Sequence, residues 1–154
     1  MKISKEFRWE MGHRLPNHMG LCRNVHGHSY RMVLEIEGEV QKNGMIIDFL
    51  ELRKIVKPII EKYDHAFMCF NKDTVVLQFL KKHRMKYVTV NFQSTVENIC
   101  EHFADKIITK LLKLKRKNLQ SITVNIYETP NAYATVTIPF PSRLMRDKLQ
   151  RKSK

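Results

Sequence analysis

The sequence predicts a single α+β domain in which an antiparallel sheet carries helices on one of its faces. Two observations lead to this prediction. Alternating apolar and polar residues mark a pair of strands near each end of the chain, and two amphipathic helical patterns lie between the pairs. The predicted element order is therefore ββααββ, with four strands and two helices. A length of 154 residues is enough for one compact domain with its own core.

The strands are predicted from a period of two residues, which places alternate side chains on opposite faces of a sheet. This period occurs in residues 3–11, 28–40, 119–128 and 132–138. The dipeptide Asn43-Gly44 predicts a tight turn after the second strand, and residues 45–47 predict a short extended run.

Each long helix is predicted to start at a capping box, which is an N-cap residue followed three positions later by Glu. The two boxes are Asp48 with Glu51 and Ser94 with Glu97. Apolar residues recur at helical spacing after both. Pro58 lies inside the first pattern, so a kink is expected there.

A small additional piece is predicted between the two long helices, with a short helix over residues 74–82 and a short strand over residues 87–90. The catalytic domain is predicted to span residues 1–141, and residues 142–154 form a basic tail. No apolar stretch approaches the roughly 20 residues of a membrane span, and the N-terminus carries no signal-length apolar run. Three sparse cysteines argue against a disulfide framework, so we expect a cytoplasmic protein.

The net charge of +13 favours an anionic partner, either nucleic acid or a polyphosphate substrate. Much of this charge is concentrated in residues 81–86, 106–117 and 143–154. A solvated face and a basic tail are the simpler explanation for most of these lysines and arginines.

Three histidines predict a metal site. His26 and His28 are two residues apart, so in an extended segment their side chains leave the same face. His13 lies in another alternating segment, and His18 in the following loop is an alternative third ligand. Imidazole suits zinc, and three protein ligands leave the open position of a catalytic site. Cys22 is either a fourth ligand of a structural zinc or a base or nucleophile assisted by nearby positive charge.

Further candidates each have a structural alternative. In the dipeptide Asp64-His65, the carboxylate can orient a histidine for proton transfer, although a histidine at a helix end is also favoured by the helix dipole. Glu97 is explained by the capping box. Glu128 ends an apolar strand, where it can accept paired hydrogen bonds from an amidine-like ring edge or simply be solvated.

Taken together, these residues resemble the 6-pyruvoyltetrahydropterin synthase family. The resemblance covers residues 3–140 and rests on six motifs in order, at residues 7–15, 22–30, 44–49, 64–65, 95–98 and 127–129. The branch is indicated by one spacing, because three residues separate Cys22 from His26. The bacterial 6-carboxy-5,6,7,8-tetrahydropterin synthase branch looks like this, whereas the pyruvoyl-forming branch typically has five intervening residues.

The resemblance implies a T-fold, in which ββααββ subunits assemble into barrels, and a homo-oligomer such as a hexamer built as a dimer of trimers. It implies Zn²⁺ on His13, His26 and His28. It implies that the proton-transfer set consists of Cys22, Asp64 and His65. It also implies that a neighbouring subunit supplies the Asp-His pair of this set. It implies a set of residues that bind the pterin substrate, formed by Thr95, Glu97 and Glu128.

The implied reaction converts 7,8-dihydroneopterin triphosphate to 6-carboxy-5,6,7,8-tetrahydropterin, with release of acetaldehyde and triphosphate, in queuosine biosynthesis. The nearest alternative is the 6-pyruvoyltetrahydropterin synthase reaction, which eliminates triphosphate without carbon–carbon cleavage. An alternative of a different class is a basic RNA-binding module with a structural zinc. That alternative has no use for Cys22, Asp64, Glu97 and Glu128, so nucleic acid is not the expected partner.

Overall fold

A computed structural model describes residues 1–141 and contains one six-stranded sheet and three α-helices. The strands are β1 (Lys2–His13), β2 (His26–Gly38), β3 (Ala66–Phe70), β4 (Tyr87–Val90), β5 (Leu119–Thr129) and β6 (Ala132–Pro139). The helices are α1 (Phe49–Glu61), α2 (Thr74–Lys82) and α3 (Val96–Leu112), and a 3₁₀ turn spans Leu21–Arg23. The order of strands across the sheet is β4-β3-β1-β2-β5-β6.

The α+β class and the four predicted strands at the chain ends are confirmed, and these strands pair antiparallel as expected. The predicted sheet of four strands is two strands too small, although the strand over residues 87–90 was itself predicted. The short pieces β3 and β4 join the sheet beside β1 and run parallel to it and to each other. The short helix and the short strand expected at residues 74–82 and 87–90 are both present.

Strand β3 was not predicted because both of its faces are buried. Ala66 and Met68 belong to the main core, whereas Cys69 packs with Val76 and Leu80 of α2. A strand covered on both faces shows no alternation of apolar and polar residues, and alternation was the signal that identified the other strands. It follows that α2 covers the face of the sheet opposite to α1 and α3, so the helices do not all share one face.

The main core lies between the sheet and helices α1 and α3. Phe103 of α3 stacks on Trp9 of β1, with ring centroids 5.0 Å apart. Helix α1 continues through Pro58 to Glu61. Pro58 has no backbone N–H, so the carbonyl oxygen four residues before it lacks its usual helix partner. Because Pro58 is exposed, this carbonyl lies on the solvent side of the helix.

The helix starts differ in part from the capping-box predictions. Asp48 caps α1, with its carboxylate accepting from the Leu50 N–H at 2.7 Å, but Glu51 forms an ion pair with Arg116 instead of closing the box. For α3 the prediction was wrong by one residue, since Thr95 is the N-cap. Ser94 is fully buried and does not cap the helix.

The segment between β2 and α1 contains the predicted turn, where Gly44 has a φ of +79° and its N–H donates to the Gln41 carbonyl. The run at residues 45–47 is not a strand, although Ile46 and Ile47 are buried in the core. None of the three helices within residues 1–141 is long and apolar enough to cross a bilayer. The predicted basic tail lies outside the described residues.

We predict a pH-dependent stability that comes from the contact between Tyr63 and His102. The Tyr63 hydroxyl oxygen and His102 Nε2 are hydrogen-bonded at 2.7 Å, and burial lowers the pKa of His102 to about 4. Between the ordinary histidine pKa of about 6.5 and this value, the unfolded chain binds a proton that the folded chain does not. The free energy of unfolding should therefore fall as the pH falls through this window.

The measurement is urea unfolding of the wild type and of His102→Gln at several pH values between about 4 and 6.5. The variant should lose less stability on acidification. His83→Gln, at an exposed position at the end of α2, is the control and should follow the wild type. Equal slopes for the wild type and His102→Gln would contradict the prediction.

Candidate metal centre and active site

The β1–β2 ladder brings the three predicted histidines together. His13 and His26 are directly opposite each other as the last pair of this ladder, and His28 lies two residues further along β2 on the same face. The ring centroids are 4.5 Å apart for His13 and His26, and 5.1 Å apart for His26 and His28. Gly27 faces Gly12 across the ladder, and a Cβ added to Gly27 would lie 3.0 Å from the Met11 carbonyl oxygen.

Backbone carbonyls orient two of the rings. His13 Nδ1 lies 2.7 Å from the carbonyl oxygen of Ser94, and His26 Nδ1 lies 2.8 Å from that of Asn24. A carbonyl oxygen only accepts, so each Nδ1 must carry the proton. In the neutral rings this leaves Nε2 as a bare lone pair, which is the form in which histidine binds a metal ion.

The carboxylate of Glu128 approaches the same point. Its Oε1 lies 3.2 Å from His13 Nε2 and 3.7 Å from His28 Nε2. Tyr30, which is fully buried on β2, donates its hydroxyl to this oxygen at 3.0 Å. Burial raises the pKa of Tyr30 well above its usual range, so the phenol remains a donor.

Burial also lowers the pKa values of His13 and His28, against the opposing effect of the Glu128 charge. His13 is therefore neutral near pH 7, and its contact with Glu128 is not an ion pair. A bare nitrogen then faces a carboxylate oxygen at 3.2 Å, with no proton between them. A cation held by the histidines next to Glu128 would relieve the repulsion between these lone pairs, so the residues fit a metal ion.

Within residues 1–141, His13, His26 and His28 are the side chains whose ligand atoms lie close enough to share one ion, all within 4.8 Å of one another. His18 and Cys22 are not in this group. His18 Nδ1 accepts from the Gly20 N–H at 2.9 Å, which uses it in a local turn. Three imidazoles can hold zinc or another first-row transition metal ion.

Cys22 lies in the loop that joins β1 to β2 at the metal end of the ladder. Its carbonyl accepts from the Leu15 N–H at 2.8 Å, which closes the loop just after His13. The thiol is free and half-buried, whereas Cys69 and Cys100 are buried. The structure thus separates Cys22 from the other two cysteines, as the sequence predicts, and its role remains a prediction.

Asp64 and His65 contact each other although they are adjacent in the chain. His65 has a left-handed φ of +54°, which turns its ring back to place Nδ1 2.9 Å from Asp64 Oδ1. The Glu10 N–H also donates to Asp64 Oδ1 at 3.0 Å, and this hydrogen bond is the main reason why the pKa of Asp64 is lowered. The carboxylate therefore remains ionised beside the imidazole.

The Asp64-His65 pair does not reach the histidine group of its own chain. His65 is 76% exposed and lines a cleft of about 310 Å³ that also includes His28, Glu10 and Ser29. The Glu10 and Ser29 side chains lie on the face of the sheet opposite to the core. The three metal-ligand candidates lie on the core face. Asp64 and His65 are thus not part of the group that could share one ion, and His65 faces the other side of the sheet.

The N-terminus of α3 lies beside the histidine group, because Ser94 contacts His13 and Thr95 follows it. The Thr95 hydroxyl accepts from the Asn98 N–H at 3.4 Å as the N-cap. Glu97 is exposed in the first turn of α3, and it does not form the capping box that the sequence predicted for it with Ser94. Thr95 and Glu97 thus lie on the segment next to the candidate site, and their contact with a substrate remains a prediction.

Sequence reasoning missed two residues that organise this site. Tyr30 holds Glu128, and it could have been found because it continues the two-residue spacing of His26 and His28 along one face of β2. Ser94 orients His13 through its carbonyl oxygen. No sequence signal identifies a backbone carbonyl 81 residues away as the partner of a histidine ring.

A three-histidine group on the core face of this sheet, next to an acidic side chain, defines an α+β protein with a candidate metal centre. The 6-pyruvoyl tetrahydropterin synthase family matches residues 2–139, so the chain belongs to that family of pterin synthases. The family resemblance stated from the motifs is thereby confirmed.

Several relatives are named 6-carboxy-5,6,7,8-tetrahydropterin synthase. The protein from Haemophilus influenzae is 36% identical over 141 residues, which covers 86% of this chain and 95% of the relative. The protein from Rickettsia conorii is 29% identical over 141 residues, which covers 88% of this chain and 99% of the relative.

Solved structures confirm the T-fold. The 6-pyruvoyltetrahydropterin synthase of Plasmodium vivax superposes with a TM-score of 0.73 at 19% identity, over 91% of this chain and 98% of that one. The enzyme from Caenorhabditis elegans gives a TM-score of 0.66 at 23% identity, over 90% and 95% of the two chains.

We predict that His26→Ala loses bound divalent metal, because a three-ligand site that loses one imidazole retains only two. The measurement is metal content after dialysis, together with the affinity for Zn²⁺ in competition with a chromophoric chelator. His18→Ala is the matched control and should bind metal like the wild type, since His18 serves a local turn. Full metal content in His26→Ala, or loss in His18→Ala, would contradict this assignment.

Proposed function

We propose that this protein is a zinc-dependent lyase that converts 7,8-dihydroneopterin triphosphate to 6-carboxy-5,6,7,8-tetrahydropterin. The reaction consumes one water molecule, and acetaldehyde and triphosphate leave as the other products. The pterin ring takes up the hydrogens that the side chain loses, so no external redox cofactor is needed. The observation that carries the proposal is the group of three histidines, whose ligand atoms lie within 4.8 Å of one another beside Glu128, in a chain of a pterin synthase family.

The metal ligands in this proposal are His13, His26 and His28. Bound zinc supplies Lewis acidity, which makes the carbon next to a substrate hydroxyl easier to deprotonate. The chain fixes two of these rings through the carbonyls of Ser94 and Asn24, which leaves their Nε2 lone pairs available to a metal ion.

The proton-transfer groups in this proposal are Cys22, Asp64 and His65. Cys22 lies in the loop at the metal end of the β1–β2 ladder, where it can take a proton from the substrate side chain. His65 moves protons at its Nε2 atom, because Asp64 occupies Nδ1 at 2.9 Å and holds the ring in one orientation. The exposure of His65 leaves Nε2 available to a substrate.

The pterin ring is bound in this proposal by Glu128, with assistance from Thr95 and Glu97. A carboxylate can accept two parallel hydrogen bonds from the amidine-like edge of the ring. The Tyr30 hydroxyl restrains Glu128 Oε1, which leaves Oε2 and the remaining lone pairs for the ring. Lysine and arginine side chains near the mouth of the site would hold the triphosphate.

The carboxy-forming reaction is favoured over the pyruvoyl-forming alternative by two observations. Both curated relatives described above carry the name of the carboxy-forming enzyme. The spacing between Cys22 and His26, three residues, is also that of the carboxy-forming branch. We further propose that the protein acts in queuosine biosynthesis and in the cytoplasm.

A complete active site in this proposal needs a second copy of the chain. His65 and the metal ligands lie on opposite faces of one sheet, so a neighbouring subunit must supply the Asp64-His65 pair. An apolar surface beside His65 supports such a contact, with a groove of about 710 Å³ that includes Val75 and Phe79. These side chains are 71% and 51% exposed, and strands β4 and β6 leave the sheet open at both edges. We propose a homo-oligomer, a hexamer formed as a dimer of trimers.

The test of the reaction is to incubate the zinc-loaded protein with 7,8-dihydroneopterin triphosphate and to identify the products by mass. We expect 6-carboxy-5,6,7,8-tetrahydropterin, triphosphate and acetaldehyde in equal amounts. A 6-pyruvoyl product without acetaldehyde would assign the chain to the alternative reaction. The absence of turnover in a protein with full metal content would overturn both assignments.

We also predict complementation between two inactive variants, Cys22→Ala and His65→Ala. If each site takes Cys22 from one chain and His65 from another, random mixing after mild dissociation leaves about a quarter of the sites intact. Activity should then recover to about a quarter of the wild-type rate per chain. The control is each variant passed alone through the same dissociation and reassembly. If the mixture stays as inactive as its components, the site is not shared in this way.

A further inference from the structure

Arg14 and Asp73 form a two-point ion pair next to the candidate metal centre. Arg14 follows His13 directly, at the point where β1 ends. Its Nε and Nη2 atoms donate to the two carboxylate oxygens of Asp73, and both distances are 2.6 Å. A guanidinium that donates twice in parallel fixes the relative orientation of both side chains, which a single contact does not.

Asp73 is a fixed partner because it is itself buried. It is 6% exposed and lies at the N-terminus of α2, where its carboxylate also accepts from the Val76 N–H at 3.4 Å. The hydrogen bond from Arg14 is the main reason why the pKa of Asp73 is lowered. Helix α2 is held on β3 by the small apolar cluster of Cys69, Val76 and Leu80. The pair therefore connects the end of β1 to a helix on the other side of β3.

The backbone around Arg14 is connected to the two groups that matter most for the proposed chemistry. The Arg14 carbonyl accepts from the Ser94 hydroxyl at 3.2 Å, and the carbonyl of the same Ser94 receives the hydrogen bond from His13 Nδ1. The next residue, Leu15, donates its N–H to the Cys22 carbonyl. Arg14 thus lies between the orientation of one metal-ligand candidate and the position of the free thiol.

We propose that Arg14 is a positioning residue, whose two-point pair with Asp73 holds the loop carrying Cys22 at a fixed distance from the metal ligands. This inference rests on the proposed function, in which Cys22 transfers a proton. Because the β1–β2 ladder ends at the His13–His26 pair, ladder hydrogen bonds no longer restrain the chain beyond it. The ion pair and the Leu15–Cys22 hydrogen bond restrain it instead.

Loss of this restraint should therefore lower the turnover rate more than it weakens substrate binding. A thiol displaced by about 1 Å can lower a rate by up to about 100-fold, although the substrate still binds. Arg14→Lys keeps a positive charge for the buried carboxylate but loses the planar fork that donates twice. Asp73→Asn keeps a good N-cap for α2 while it loses the charge that pairs with Arg14. Both variants should fold, and both should loosen the loop.

The experiment compares wild type, Arg14→Lys and Asp73→Asn in three measurements: zinc content, steady-state kinetics, and the rate at which iodoacetamide alkylates Cys22 with and without zinc. Peptide mass analysis assigns the alkylated residue, since the other two cysteines are buried. In the wild type, bound zinc should change the rate at which Cys22 is alkylated, either because a cation lies near the thiol or because the loop closes over it. In both variants we expect full zinc content, a KM within about threefold, a kcat lowered about 10- to 100-fold, and a smaller effect of zinc on alkylation.

The control is Arg8→Lys, because Arg8 also lies on β1 and pairs with Glu6 at 2.7 Å, but on the exposed face away from the histidines. It should match the wild type in all three measurements. An unchanged zinc effect on Cys22 in both variants overturns the proposal, and so does the absence of any zinc effect in the wild type. The alkylation measurement needs no pterin, so it decides the role of Arg14 even if the wild type does not turn over the proposed substrate.

Discussion

The register of the β1–β2 ladder is the constraint on which the rest of the structure depends. Met11 and Trp9 on β1, and Tyr30 and Met32 on β2, are buried on one face of the sheet. A slip of one residue would move these side chains to solvent, so hydrophobic burial fixes the pairing. The same register places His13 opposite His26, with His28 on the same face. The energy that folds the sheet therefore also assembles the histidine group.

Burial then determines the electrostatic state of that group. The neighbouring core removes water from His13 and Tyr30, which favours the neutral forms of both side chains. Backbone carbonyls fix the Nδ1 protons of His13 and His26, and the Glu128 carboxylate oxygen lies against His13 and His28. A folded core thus holds a cluster of imidazole lone pairs beside one carboxylate, which a bound cation would stabilise. We regard this as the physical link between the stability of the fold and the proposed zinc chemistry.

The division of functional groups between the two faces of the sheet has a consequence for assembly. The core face carries the histidines and Glu128, and the polar face carries the Asp64-His65 pair. A sheet one backbone thick separates these two groups within a chain. In the proposed function, assembly of subunits is thus a requirement of the chemistry, and the apolar surface near His65 is where a neighbouring chain would make contact. The Arg14–Asp73 pair connects this same region to the loop of Cys22.

The sequence by itself determined the class of the fold, the four long strands, the long helices and the identity of the three histidines. Each of these depends on local spacing, a period of two or of 3.6 residues, which a chain displays without knowledge of its partners. The family and its motifs were likewise read from residue order. Only the tertiary structure decided that β3 and β4 extend the sheet, that Thr95 rather than Ser94 caps α3, and that Glu51 pairs with Arg116. It also brought His13 to Ser94 and Tyr30 to Glu128, pairs that are 81 and 98 residues apart in the chain. Such contacts arise when the core closes, because burial leaves each polar group with whichever partner packing places beside it.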